Sequence, residues 1–289
     1  MWPGNRVAAV SATEVSGPGD PQPAPDGLDT GPAGTRFGEI RRFTEIDSTN
    51  RYLLELARLR PLHGVVAVAD HQTAGRGRQG RRWEAPKGAN LLVSVLLVPD
   101  LPVEQLYLCT AAAGLATADA CRRLAGLQPS LKWPNDLMVG RRKLAGILAE
   151  SVPLQVGGGR AVVVGIGLNV DWPPPGAGGG EPDAVRTTAT SILRETQIEV
   201  DKGRLLDALL IGLDRILGVL GDDAGRAGLA GEYRRRCATL GQHVVVTSAE
   251  GECSGVAVDV TAEGHLVVDV GVRLRTISAG DVIHVRANG

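Results

Sequence analysis

The chain has 289 residues, 43% of them hydrophobic and 22% charged, with a formal net charge of −1. That length holds one large domain and a small one, and the apolar content suffices for a real core. The charge balance argues against a dedicated nucleic-acid binder, because the basic residues form a local patch and not a global excess. Cys109, Cys121, Cys237 and Cys253 lie far apart with no Cys-x-x-Cys, which argues against a zinc ribbon or disulfide framework and fits a reducing compartment. No apolar run approaches the length of a membrane span.

Residues 1–36 are rich in Pro, Gly, Ala and Ser, lack apolar periodicity, and read as a disordered tail. A short strand is expected at Phe43–Ile46. Asp47-Ser48-Thr49-Asn50 then precedes Leu53, Leu54, Leu56, Ala57 and Leu59 at helical spacing. Ser48 or Thr49 caps that helix, and Pro61 with Gly64 ends it. A helix N-terminus flanked by hydroxyls also receives polar ligand groups. Val65–Ala69 reads as a strand.

The stretch from Gln72 to Trp83 carries Arg76, Arg78, Arg81 and Arg82 among Gly75, Gly77 and Gly80, with no Asp or Glu between Asp70 and Glu84. Glycines let a backbone approach a ligand closely. Guanidinium forks beside exposed amides suit phosphate or carboxylate. A solvated basic loop or a nucleic-acid patch has the same composition, so this stretch alone leaves three readings open.

Asn90–Val98 is a second strand, and Pro102–Leu124 a buried helix ended by Gly126. Ser130–Trp133 is a strand, followed by a tight turn at Asn135-Asp136. Leu137–Val139 and Leu144–Ala149 form a hairpin through Gly140. Ala161–Leu168 is another buried strand, with Gly165 and Gly167 inside it. Interior glycines mark a bulge, close packing, or the approach of a ligand. The run fails as a dinucleotide fingerprint: the third Gly position holds Val170, and Asp171-Trp-Pro-Pro-Pro175 cannot open a helix. Asp171–Asp183 is a Gly- and Pro-rich loop. Thr190-Ser191 starts a short helix, Asp201 caps a longer one with a broad leucine face, and another helix runs through Glu232–Arg236. From about Ala238 five short alternating strands indicate a small β-barrel or sandwich.

The arginine–glycine stretch, Lys132-Trp-Pro-Asn-Asp136 and Lys143-Leu-Ala-Gly-Ile-Leu-Ala-Glu150 occur in this order and spacing. Together they closely resemble the biotin–protein ligases, from about Glu45 to the C-terminus. The resemblance implies an α+β fold: a mixed β-sheet with flanking helices (a class II synthetase-like ligase core) at residues 37–237, and a small C-terminal SH3-like β-barrel at 238–289. It implies biotin and ATP as substrates, with Mg2+, giving biotinyl-5′-AMP and pyrophosphate. A lysine of a biotin carboxyl carrier domain of a carboxylase then attacks the mixed anhydride. Joining two anions requires fixed positive charge, amide donors and positioning, and no protein nucleophile.

Carried over by motif position, Ser48, Thr49, Asn50, Gln72, Gly75, Arg76, Gly77, Arg78, Lys143 and Gly146 are expected at biotin. Arg78, Arg81, Trp83, Asn135, Asp136, Lys143 and Asn169 are expected at ATP or the adenylate, with Lys143 and Arg78 as catalytic groups. Metal ligands stay open. Many relatives have a basic residue at the position of Gln79. The expected protein is a cytoplasmic monomer or weak dimer that binds neither nucleic acid nor membrane. Bifunctional relatives carry an N-terminal helix-turn-helix domain where this chain has its tail, so a repressor role is not expected. The rival readings are a lipoate or octanoate ligase of related core, and a nucleic-acid module using the Arg76–Arg82 patch, which would bind with steep salt dependence.

Overall fold

The computed structural model describes residues 24–155, 158–175, 188–248 and 251–284. Eight strands form one mixed sheet: Gly27–Asp29 (β1), Glu39–Phe43 (β2), Val65–Ala69 (β3), Leu91–Leu97 (β4), Ser130–Lys132 (β5), Asp136–Val139 (β6), Arg142–Pro153 (β7) and Arg160–Leu168 (β8). Their order across the sheet is β1-β2-β3-β4-β8-β7-β6-β5. β2 and β3 pair parallel, so a crossover has to join them. Helix α1 (Thr49–Leu59) supplies it, with the Ser48 hydroxyl capping its first turn.

β4 is buried at every position, as a strand covered on both faces must be. Val66, Val93, Val95, Val164 and Ile166 belong to the larger core, together with α2 (Tyr107–Ala125) and α4 (Lys202–Gly218). Ala67, Leu96 and Val163 lie in a second core with Tyr52, Leu53 and Leu54 of α1. α2 is apolar nearly all round because it sits between the sheet and the leucines of α4. Gly126, in the left-handed region at φ 65°, ends it. Between α2 and α4 in the chain lies the short α3 (Ile192–Thr196), and α5 (Asp223–Arg236) leads to the C-terminal region.

There, His243–Ser248 (β9), Gly251–Val260 (β10), Leu266–Asp269 (β11), Leu274–Ile277 (β12) and Asp281–His284 (β13) form an antiparallel sheet ordered β12-β11-β10-β9-β13. It docks on the end of the large sheet. The Trp133 indole N–H donates to the Gly264 carbonyl at 2.8 Å, and the Arg234 guanidinium to the Val260 carbonyl at 2.7 Å.

Three expectations need correction. The expected tail ends earlier than residue 36: β1 pairs antiparallel with β2, and Arg36 holds Asp214 of α4 through its backbone N–H at 3.0 Å and its Nε at 2.6 Å. Polar and glycine-rich composition concealed a segment whose order comes from partners distant in sequence. Residues 1–23 of that tail lie outside the described residues, as do 176–183 of the expected Asp171–Asp183 loop. The first strand expected at Phe43–Ile46 is Glu39–Phe43, where charged Arg41 and Arg42 interrupt the apolar pattern, while Ile46 only bridges to Gln72. The helix expected from Pro102 begins at Tyr107, after a separate 3-10 turn at Val103–Gln105.

Two stability predictions follow from this packing. Removing residues 1–36 is expected to lower the melting temperature by several degrees, since charge-assisted hydrogen bonds are worth about 1.5–3 kcal/mol and ~1 kcal/mol moves a chain of this size by about 2–4 °C; calorimetry checks it. His63 accepts the Val98 N–H at Nδ1 over 2.9 Å. Burial, with the nearby Arg36 charge, lowers its pKa to about 4, against the pull of Asp214. The folded ring is therefore neutral, while the unfolded ring takes a proton near pH ~6.5. Stability from this group is complete above that pH and is lost as pH falls toward 4. His63→Asn keeps an acceptor but does not titrate, so urea midpoints at pH 7 and pH 4.5 are expected to differ less than in the parent.

Candidate active site

The N-terminus of α1, the loop at residues 72–83, strands β4, β7 and β8, the turn at 133–135 and β13 enclose a cleft of about 400 Å3. Its floor is the α1 face of the sheet. Alternation places Ser94 of β4, Gly165 and Gly167 of β8, and Gly146 and Leu148 of β7 on that face. The glycines let other groups lie against the backbone. A Cβ at Gly165 would sit 2.1 Å from Asn50 Oδ1, and one at Gly167 would sit 2.5 Å from the Trp83 ring. A Cβ at Gly146 would meet the same ring at 2.9 Å.

A hydrogen-bonded network lines one end of the cleft. The Thr49 backbone N–H donates to Gln72 Oε1 at 2.9 Å. Thr49 Oγ1 lies 2.7 Å from Ser94 Oγ, and Ser94 donates to Asn50 Oδ1 at 2.7 Å. Ser48, Thr49, Asn50 and Ser94 are all buried. Such a cluster of fixed donors and acceptors suits a small polar ring or amide.

Positive charge gathers at the other end. Lys143 Nζ lies 2.6 Å from Asp136 Oδ1 and 5.5 Å from the centre of the Trp83 ring. Arg78 donates to Asn135 Oδ1 at 3.4 Å and to the Gly280 carbonyl at 3.3 Å. Arg81 pairs with Asp281, and Arg76 with Glu150 at 2.9 Å. Burial lowers the pKa of Arg78, with Asp136 opposing. Burial likewise lowers that of Lys132, again opposed by Asp136. The turn carrying Asn135 and Asp136 is braced from two sides. Trp133 donates its backbone N–H to Thr239 Oγ1 at 3.0 Å, and Asn135 Nδ2 donates to the Ile147 carbonyl at 2.6 Å.

A second cavity of about 860 Å3 adjoins the first and shares Gln72, Arg82, Trp83, Lys132, Asp136 and Lys143 with it. The Trp83 indole N–H is buried and finds no hydrogen-bond partner among the described residues, leaving a donor for an acceptor at this junction. Two joined cavities, edged by cations and floored by backbone, fit two substrates that meet through anionic groups.

The chain is similar to known proteins in sequence and in fold. The biotin/lipoate A/B protein ligase family matches residues 43–171, and the biotin protein ligase C-terminal domain matches residues 239–285. A protein of Mycobacterium tuberculosis named biotin–[acetyl-CoA-carboxylase] ligase is 38% identical, over 88% of this chain and 92% of its own. The chain belongs to the biotin protein ligase family. A ligase of the same description from Paracoccus denitrificans is 35% identical, over 82% of this chain and 96% of its own. The biotin protein ligase of Aquifex aeolicus, solved with biotin and ATP, superposes with a TM-score of 0.70 at 26% identity, covering 86% of this chain and 99% of that one.

Residues expected from the family motifs converge on the two cavities. Ser48, Thr49, Asn50, Gln72, Arg76 and Gly77 line the first, and so do Arg78, Arg81, Trp83, Asn135, Asp136, Lys143 and Gly146. Gly75 and Asn169 line the second. At Gly75 the close approach is internal, since a Cβ would lie 2.3 Å from the Trp83 carbonyl. The Asn169 amide braces its neighbours: Oδ1 accepts from Asn90 at 2.9 Å, and Nδ2 donates to the Thr190 carbonyl at 2.9 Å and the Lys143 carbonyl at 3.4 Å.

Ser94, Lys132 and Asp281 line the cleft, and Glu150 pairs with Arg76 at its edge, yet none of them was assigned a role from the sequence. Two-residue alternation from Gly146 already places Glu150 on the floor side, and Lys132 opens a recognised motif. Asp281 carries no local signal, because only the docking of the C-terminal sheet brings it to Arg81.

Gly165→Ala is expected to push Asn50 off the floor. Overpacking of this kind costs about 1–3 kcal/mol, readable as a lower urea midpoint, and ligand affinity is expected to fall with it.

Proposed function

We propose that the chain joins biotin to a protein acceptor in two steps at these cavities. In the first step the biotin carboxylate attacks the α-phosphorus of ATP, forming biotinyl-5′-AMP and releasing pyrophosphate. In the second, a lysine amine of a biotin carboxyl carrier domain attacks the acyl carbon, an amide forms, and AMP leaves. The observation that carries this reading is the convergence of Lys143, Arg78, Arg81 and Lys132 on a 400 Å3 cleft whose far end is a buried polar network. Those cations offset the repulsion between carboxylate and phosphate, and Lys143, Arg78 and Arg81 are held by Asp136, Asn135 and Asp281.

In this reading the network of Thr49, Asn50, Gln72 and Ser94 receives the ureido ring. Gly146 lets the acyl chain lie on the strand, and Lys143 reaches the carboxyl and α-phosphate oxygens. The second cavity takes the nucleoside. Magnesium keeps few protein ligands and leans on substrate phosphates; Asp136 is the carboxylate placed to hold it, and no group of three His, Cys, Asp or Glu side chains gathers among the described residues. The C-terminal sheet is assigned as an SH3-like barrel and the large sheet as a class II synthetase-like core. Placement in the cytoplasm is supported by four free cysteines. None of the described helices is long and apolar enough to cross a membrane.

Pyrophosphate exchange into ATP tests the reading. Exchange is expected with biotin and not with lipoate; lipoate-dependent exchange alone would replace biotin as substrate. Lys143→Ala is expected to retain the fold and to lose adenylation by about 10- to 150-fold, the worth of a hydrogen bond to a charged group. Single-turnover adenylate formation measures the loss.

A further inference from the structure

Glu150 lies on β7 two residues beyond Leu148, on the floor side of the sheet at the edge of the cleft. Its Oε2 accepts from Asn50 Nδ2 at 3.1 Å, and its Oε1 pairs with Arg76 Nη2 at 2.9 Å. Asn50 also donates to the Leu148 carbonyl at 3.1 Å. With two acceptors on its nitrogen, Asn50 turns Oδ1 toward Ser94, whose hydroxyl donates to it. Ser94 has spent its one proton on Asn50, and the Thr49 hydroxyl, 2.7 Å from Ser94 Oγ and 3.1 Å from Gln72 Oε1, shares its own proton between those two acceptors. Thr49 in turn donates its backbone N–H to Gln72. The bonds therefore run unbroken from Gln72 through Thr49, Ser94, Asn50 and Glu150 to Arg76. Gln72 and Arg76 both belong to the arginine–glycine loop, so the backbone between them closes a ring.

We infer that Glu150 is a positioning residue that closes a hydrogen-bonded ring around the first turn of the ligand-binding loop, so that the segment Gly75–Gly77 is held across the cleft floor. This rests on the proposed ligase function for its ligand, though not for its geometry. The Arg76 guanidinium is about half exposed and its ion pair alone would be weak. The ring gains its constraint from the buried side, because Glu150 is also bonded to an Asn50 that is only 5% exposed. Every other bond of the ring survives without the carboxylate charge, and only the tie to Arg76 is lost.

The test is Glu150→Gln, in which the side-chain oxygen still accepts from Asn50 while the ion pair with Arg76 disappears. Amide hydrogen exchange of the unliganded chain is expected to quicken at Gly75, Arg76 and Gly77, with the melting temperature close to that of the parent. In pyrophosphate exchange the KM for biotin is expected to rise about two- to fivefold, the worth of one half-exposed ion pair, with the KM for ATP moved far less. Arg76→Ala is expected to give the same rise, and the double variant no more than either alone. Unchanged amide exchange at Gly75–Gly77 overturns the role of Glu150, as do effects of the two substitutions that multiply. A parent chain that shows no biotin-dependent exchange overturns the ligase reading instead, while the hydrogen-exchange arm still decides the ring.

Discussion

Asn50 and Trp83 lie flat on the sheet because positions 165 and 167 of β8 carry no side chains. Those two close approaches set the depth of both cavities. Were β8 an ordinary apolar strand, the α1 N-terminus would stand off the sheet by the width of a side chain. Asn50 would then lose Ser94 and Leu148 together. Buried polar groups stripped of partners are costly, so the network and the glycines that admit it stand or fall as a unit. The site is a place where a well-packed sheet gives up packing to let polar groups reach its backbone.

Charge in the cleft is organised on the same economy of space. A chain of nearly neutral net charge concentrates Arg76, Arg78, Arg81, Lys132 and Lys143 around one opening. Like charges so close disfavour one another, and the protein answers with Glu150, Asp281 and Asp136. The arginines of the loop therefore have protein partners that offset their mutual repulsion. Anionic ligand oxygens meet donors fixed in place, which spares the reorganisation that water would need.

The C-terminal sheet is part of this arrangement. Thr239 and Gly264 hold the Trp133 backbone and indole, and Gly280 with Asp281 holds Arg78 and Arg81. The turn that carries Asn135 and Asp136 and the loop that carries the arginines are thus both referenced to the same small sheet.

The sequence by itself determined most of the elements, though not Gly27–Asp29, and the chemistry of the motifs. Ser48 as a cap, Gly126 as a helix end, the hairpin through Gly140 and all five C-terminal strands are local matters of φ, hydrogen-bonding capacity and two- or 3.6-residue periodicity. The arginine–glycine loop and Lys143 were legible because charge and glycine in fixed spacing leave few uses. Tertiary structure alone decided the rest. Residues 27–36 look like linker until β2 and Asp214 supply partners. Gly165 and Gly167 left packing and ligand contact equally open until Asn50 and Trp83 took the space above them. Alternation puts Glu150 on the floor side, but its tie to Arg76 and that of Asp281 to Arg81 join residues 74 and 200 positions apart in the chain, a distance over which no local pattern names the partner.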